Sequence, residues 1–267
     1  MELEKRVFAD GTLTFDEPSH KYQFIKNDGE IIDVRSVTSH FGILGSFNIG
    51  AMASRKAFRT TFMEEIELNK QYSWQYKKDA ESFIKDISKK SADVWTKSAE
   101  RGTIVHATLE NYAKGIQPTY DTDESIAKMQ KAGIDWFDAN VEKVLSSEVL
   151  VYNKEHNYSG KYDLECILND GRGRVLLDWK TGSIANFKRL PDMSSKFPLQ
   201  LLAYMECLLE DQGGNPFPRM IVMIDRDNAD IMTRTYDTKN YTRDKSIFLQ
   251  IINLNNYFHD YADEWKQ

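Results

Sequence analysis

The chain reads as an α/β protein, because strand-like alternation and long helix-periodic runs succeed one another along it. Three observations carry this reading. Residues 11–38 alternate with a period of two, residues from about 49 to 145 are dominated by helical spacing, and residues 159–180 form two strand-like runs around a Gly-containing turn.

The first segment turns at Asn27-Asp28-Gly29 between Tyr22-Gln23-Phe24-Ile25 and Ile31-Ile32-Asp33-Val34, which predicts a small β-hairpin ending at Ser36-Val37-Thr38. Helices are predicted near 49–70, 72–90 and 91–114, the last stopped by Gly115, and near 123–145 after Pro118. Strands near 147–153, 159–168 and 173–180 come next. An irregular stretch through Pro191 and Pro198 then leads to an apolar helix over about 198–210, broken by Gly213-Gly214. The strand Met220-Ile221-Val222-Met223-Ile224, a turn at Asp225–Asp230, a strand to about Tyr236 and a helix near 241–264 complete the chain. We expect residues 1–90 to supply a hairpin and helical portion packed on a core formed by 91–267, the whole being one structural domain.

The 267 residues are 41% hydrophobic, enough to bury a core without a partner. The charged start, Met1 to Arg6, has no apolar run behind it, and no window approaches the roughly 18 apolar residues of a membrane span. A soluble, cytoplasmic protein is expected. Only Cys166 and Cys207 occur, both within apolar patterns, which points to buried thiols and excludes iron–sulfur clusters and Cys-ligated zinc. A net charge of −6 argues against coating nucleic acid by bulk electrostatics, although an enzyme needs only a local basic track. Candidates for such a track are Arg55, Lys56 and Arg59, the Lys77-Lys78 and Lys89-Lys90 pairs, and Lys188, Arg189 and Lys196.

The most informative stretch is Ser159-Gly160-Lys161-Tyr162-Asp163, followed by Leu177-Asp178-Trp179-Lys180-Thr181-Gly182. A four-residue loop, Asn169–Arg172, pairs Leu168 with Gly173. Carrying that register outward sets Asp163 opposite Asp178, with Lys180 on the same face by the two-residue period. Opposed Cβ atoms lie about 4.5–5.5 Å apart, so both carboxylates can hold one hard divalent cation that relieves their repulsion. The lysine beside them would orient or deprotonate an attacking water. The opposite face, Tyr162, Leu164, Cys166, Leu168, Val175, Leu177 and Trp179, reads as core. A lone Asp-x-Lys on a strand ordinarily means a solvated face with one cross-strand ion pair, so the rest of the chain must decide.

Upstream, helical spacing aligns Gly102, His106 and Glu110 beside an apolar stripe of Val105, Leu109 and Tyr112. Glycine inside a helix costs about 1 kcal/mol and often marks a close approach. Downstream, Gln200 and Tyr204 sit one turn apart on an otherwise apolar helix, able to bond a buried partner.

The order Arg-Gly-Thr-x-x-His at 101–106, Gly-x-x-Asp at 160–163, Asp-x-Lys-Thr-Gly at 178–182 and Gln-x-x-x-Tyr at 200–204 resembles the RecB-like branch of the PD-(D/E)XK nuclease superfamily. It is similar to the small free-standing exonucleases of phages and to the mitochondrial genome maintenance exonuclease. The CRISPR-associated exonucleases share the motifs but carry four cysteines for an iron–sulfur cluster, which this chain lacks. The resemblance implies a central mixed β-sheet flanked by helices, a restriction-endonuclease-like core. It implies that His106, Asp163, Asp178 and the carbonyl of Trp179 bind one or two Mg²⁺ or Mn²⁺ ions, with Lys180 orienting the attacking water. It also implies that Gln200 and Tyr204 support the lysine and contact nucleic acid, and that Glu148 plays a supporting role. Tyr162 stands where the literal motif has proline.

The function expected from this resemblance is a metal-dependent deoxyribonuclease acting on single-stranded or frayed DNA ends, leaving 5′-phosphate and 3′-hydroxyl products. The setting would be DNA repair or recombination in a bacterial or phage-infected cell, with recombination or replication proteins as possible partners. Arg55 and Arg59, with nearby aromatics, are expected to contact DNA, and Lys188 and Glu110 to support the site or contact DNA. Two other readings stay open: a catalytically silent nucleic-acid-binding protein on the same scaffold, and a structure-specific endonuclease.

Overall fold

The computed structural model describes residues 3–42, 77–189 and 191–264. The helix expected at 49–70, with Arg55, Lys56 and Arg59, and the first residues of the one expected at 72–90 lie outside these residues. By contacts within the chain, Met1–Leu44 and His106–Gln267 form one compact unit and Gly45–Val105 another.

The N-terminal segment contains more structure than one hairpin. Strands β1 (Glu4–Phe8), β2 (Gly11–Asp16), β3 (Lys21–Lys26) and β4 (Ile31–Ser36) form an antiparallel meander. Its alternation buries Leu13, Phe15, Tyr22, Phe24 and Val34 together with Leu150 and Tyr152. Phe15 stacks on Tyr22 with ring centroids 4.4 Å apart, and Phe24 on Tyr152 at 4.8 Å. Gly11 is required by close packing, since a Cβ there would sit 2.5 Å from the carbonyl of Ile25. The short helix α1 (Val37–His40) follows, capped by the Ser36 hydroxyl.

Helix α2 runs unbroken over Lys77–Ala113, where two helices were expected on either side of residue 90. Nothing near Lys90 and Ser91 stops it, because the segment contains no proline and its one glycine, Gly102, lies well downstream. Helix α3 (Glu124–Asn140) begins at Asp123, whose carboxylate accepts from the Ser125 amide. It ends earlier than the expected residue 145, because Val141 already starts strand β5 (Val141–Asn153).

Strands β6 (Tyr158–Leu168) and β7 (Gly173–Gly182) form the predicted hairpin in the predicted register, Leu168 opposite Gly173 and Leu164 opposite Leu177. The stretch expected to be irregular is helical: α4 (Ile184–Arg189) and α5 (Pro191–Gln212), with Pro191 at the first helical position, where its missing N–H is harmless. Strands β8 (Arg219–Asp225) and β9 (Ile231–Tyr236) and helix α6 (Tyr241–Glu264) follow.

The nine strands among the described residues join one mixed sheet in the order β1-β2-β3-β4-β6-β7-β8-β9, with β5 paired to β6. The β4–β6 and β7–β8 pairs are parallel and the others antiparallel. Helices cover the sheet beyond the meander. On one face Trp136 of α3 meets Trp179 edge-on at 5.4 Å, and Gly133 lies against Leu109 and Ile224 so closely that a Cβ would clash. On the other, the apolar helix α5 packs through Leu201, Leu202, Met205 and Leu208 with Leu176, Ile221 and Met223 of the sheet.

Strand β6 has one irregular edge. β5 pairs it from Tyr158 to Leu168 on one side. On the other, β4 pairs only Tyr158 and Ser159, and β7 pairs only Leu164 to Leu168. The edge from Gly160 to Asp163 therefore has no ladder partner among the described residues, and the two neighbouring strands fork around it.

Below the fork, Arg219 is buried at the start of β8, donating to the carbonyl of Pro198 (2.6 Å) and to Asp244 of α6 (2.9 Å). Breaking a buried pair from one side leaves a charge without compensation. Asp244→Ala is expected to destabilise the fold by about 3–5 kcal/mol, and an Arg219→Met/Asp244→Leu double variant to recover much of it, as read by urea denaturation.

Candidate active site

The carboxylates assemble across three strands. Ser147 faces Leu164 and Val149 faces Tyr162, so the β5–β6 register sets Glu148 opposite Asp163. The β6–β7 register, carried one position past Leu164 and Leu177, sets Asp163 opposite Asp178. Glu148, Asp163 and Asp178 thus stand in one row across the forked edge. The expected pair of acids gains a third member, in the interior of β5 rather than at its start.

This face is covered, and a solvated strand with one surface ion pair does not describe it. Asp178 is 2% exposed, and the side chain of Asp163 15%. The buried Oδ2 of Asp178 accepts no directed hydrogen bond, although the Lys180 ammonium lies against it as an ion pair. Asp163 uses its Oδ2 to accept the backbone N–H of Trp179 at 2.7 Å, a donor that the fork has released from the ladder. Ser147 Oγ donates to the carbonyl of Asp163 at 3.1 Å.

Helix α2 brings His106 to the same place, its Nδ1 lying 3.5 Å from Asp163 Oδ2. Burial, with the Lys180 charge, lowers the affinity of His106 for a proton. The neutral imidazole is the form that ligates metals. Glu110, one turn on, pairs with Lys114, and its charge also acts on Glu148.

Burial first, and then the charge of Asp178, push Asp163 up to about 7. Burial, then the charge of Asp163, push Glu148 up to about 7 as well. The lysines are raised too, but by attraction to the carboxylates and against their burial. Burial disfavours the Lys180 ammonium, but Asp178 and Asp163 outweigh it and hold the proton more tightly than usual. Lys161 behaves likewise between Glu148 (3.1 Å) and Glu4 (3.3 Å). Its position was legible from the period of two that links it to Asp163; its two partners were not.

Glu148 adopts a left-handed backbone, φ 54°, which raises the energy of a residue with a Cβ by roughly 1–2 kcal/mol. Such strain concentrates at functional sites. No sequence signal marked it.

Gly160 earns its place by contact. A Cβ there would lie 2.4 Å from Cε1 of Tyr204, so the tyrosine ring packs directly on the β6 backbone at the fork. Gln200 Nε2 donates to the Tyr204 hydroxyl at 3.0 Å. Among the described residues these two bond each other, while Lys180 contacts Asp178 and lies 5.4 Å from the Phe197 ring centroid. Lys188 is exposed in the last turn of α4, and none of the contacts that hold the carboxylates runs to it.

Oxygen-rich, with one neutral imidazole, this donor set suits a hard divalent cation. Two carboxyls raised to about 7 by burial and then by a neighbouring like charge, and a buried Asp178 oxygen without a directed donor, are the conditions that such an ion would relieve. As the side chains stand, no three His, Cys, Asp or Glu groups among the described residues converge on one point. An ion would therefore compete with Lys180 for Asp178.

A mixed sheet flanked by helices, with acids and a lysine at its fork, defines a class of nucleases. Residues 71–251 match the model of the PD-(D/E)XK nuclease superfamily, more than half of the chain, and the protein belongs to that superfamily. Its members are nucleases that typically use divalent metals such as Mg²⁺. A comparison with curated proteins returned no match.

The raised carboxyls set the sign of the pH dependence. A carboxyl whose folded pKa lies above its unfolded value contributes stability at low pH that is lost as pH rises through the folded value. For Asp163 and Glu148 that window runs from about 4 to about 7. The melting temperature of the metal-free protein is expected to fall between pH 5 and pH 8, and Asp163→Asn to flatten part of the slope. A wild-type slope of zero or opposite sign, with the variant unchanged, would contradict this charge assignment.

Proposed function

We propose that the protein is a Mg²⁺- or Mn²⁺-dependent deoxyribonuclease of the RecB-like branch that degrades single-stranded or frayed DNA from free ends, leaving 5′-phosphate and 3′-hydroxyl groups. The observation that carries it is the row Glu148, Asp163, Asp178 at the open edge of β6, with Lys180 on the same face. The preference for ends rests on the resemblance of the motif series to free-standing exonucleases.

Asp163, Asp178, His106 and the Trp179 carbonyl would hold the ion or ions. When bound, the metal supplies charge neutralisation at the scissile phosphate and makes water a better nucleophile. The protein's own part is positioning. Lys180, kept as an ammonium by the two aspartates, acts as a hydrogen-bond donor that orients water toward phosphorus in line with the leaving oxygen. Tyr204, fixed on Gly160 and braced by Gln200, seals the floor of the fork. Lys161 keeps Glu148 beside Asp163.

Asp178→Asn preserves shape and removes a charge, and Lys180→Ala removes the donor. Each is expected to lower turnover by at least about a hundredfold while the folded protein persists, as followed by cleavage of labelled oligonucleotide and by thermal melting. Wild-type-like cleavage by either would remove that residue from the machinery. DNA binding without cleavage in every divalent ion tried would favour the silent scaffold.

For end dependence, the measurement is digestion of end-labelled linear single strands beside closed single-stranded circles in Mg²⁺. Linear strands are expected to shorten while circles persist. Rapid fragmentation of circles would replace the exonuclease assignment with an endonuclease and leave the chemistry standing.

A further inference from the structure

Beside the carboxylate row lies a cleft of about 470 Å³, lined by Phe15, Glu17, His20, Tyr22, Ser36 and Thr38 of the N-terminal segment and by Lys161 and Tyr204 of the site. Its volume falls within the roughly 300–1,000 Å³ of small-ligand sites. Two lining residues tie it to the proposed chemistry. Lys161 bonds Glu148 in the row, and Tyr204 lies on Gly160 at the fork. The cleft and the row are thus separated by single side chains.

The walls differ in character. Phe15 and Tyr22, stacked and largely buried, make an aromatic floor. The exposed His20 ring leans on Phe15, with centroids 5.7 Å apart. His20 sits at the β2–β3 turn with a left-handed backbone, φ 51°, a conformation that His, Asn and Asp adopt more readily than other non-glycine residues. The opposite rim carries the hydroxyls of Ser36 and Thr38, which lie 3.2 Å apart.

Charge decides what fits. Lys161 is the cleft's lysine, and its charge is already shared by Glu148 and Glu4, while Glu17 adds a carboxylate at the rim. A phosphate is therefore poorly matched. A nucleoside is well matched: its base offers a π-face to the rings and polar edges to hydroxyls and carboxylate, and it brings no net charge.

We propose that this cleft receives the nucleoside adjoining the scissile phosphate, its base stacking on the His20 ring. The proposal rests on the nuclease reading and assigns to the N-terminal meander the capture of the substrate's base. Stacking is tolerant of base identity, so the subsite grips strands without reading sequence.

The test uses the full-length protein in Ca²⁺, to allow binding, with a single-stranded oligonucleotide carrying 2-aminopurine at its terminal or next nucleotide. Wild type is expected to change the 2-aminopurine emission on binding. His20→Gly, which tolerates the positive φ and keeps the turn, is expected to abolish that change and to weaken binding about tenfold, within the range of base–aromatic stacking. His20→Phe is expected to restore the signal, which a merely structural role for His20 would not allow. In Mg²⁺, an abasic residue at the same position is expected to raise KM for wild type but not further for His20→Gly. Equal emission changes in wild type and His20→Gly, both folded by thermal melting, would overturn the subsite. That result would leave the nuclease reading untouched, since the latter is decided separately by cleavage in Mg²⁺ and its loss in Asp178→Asn.

Discussion

The edge of β6 between Gly160 and Asp163 is the constraint around which this protein is organised. A strand inside a sheet normally passes its N–H and C=O groups to neighbours on both sides, and buried groups left over are strongly unfavourable. Here β4 leaves after Ser159 and β7 arrives at Leu164, so the intervening residues must be satisfied by other means. Across the gap Trp179 of β7 gives its N–H to the Asp163 carboxylate instead of a ladder carbonyl, while the Tyr204 ring packs on Gly160. The same gap that forces these substitutions opens a polar notch inside an otherwise apolar sheet.

Charge in the notch follows from its burial. Burial, and then a neighbouring carboxylate, raises the proton affinity of Asp163 and Glu148, and two lysines beside the row hold their protons more tightly. The pairing is not symmetrical. Lys161 is committed to Glu4 and Glu148 at the outer end of the row, whereas Lys180 meets Asp178 without satisfying Asp178 Oδ2 by a directed hydrogen bond. The inner end is therefore where added positive charge has most to gain. That location agrees with the donor set of His106, Asp163 and Asp178, hard oxygens beside a neutral imidazole.

Much of this was legible in the sequence, and the reasons are physical. A short loop and a strict two-residue period determine a hairpin register almost uniquely, so the placing of Asp163 opposite Asp178 with Lys180 alongside was readable before any coordinates. The Gly160 requirement was visible as a motif, but its cause, the Tyr204 ring, comes from a helix forty residues away. Glu148 was placed at a strand start because the preceding residues look helical; the strand in fact begins at Val141, and the left-handed turn at Glu148 has no compositional mark. The meander was read as one hairpin because β1, with Lys5 and Val7 turned outward at the sheet edge, carries little apolar signal. Helix α5 was begun too late because prolines at 191 and 198 read as breakers, while Pro191 at the first turn is compatible with a helix.

The meander gives the fold a feature that the motif series does not encode. A nuclease motif describes the acids, the lysine and the helix behind them, all C-terminal to residue 100. Yet residues 1–44 belong to the same compact unit as His106–Gln267, and strand β4 forms one prong of the fork that exposes Asp163. Lys161 joins the two parts directly, bonding Glu4 of the first strand and Glu148 of the carboxylate row with one ammonium group. Whatever enters the cleft between Phe15, His20 and Tyr22 therefore meets a residue that is coupled electrostatically to Asp163 through Glu148. The N-terminal strands are in this sense part of the site's wall and of its charge balance, rather than an appendage to a core that would be complete without them.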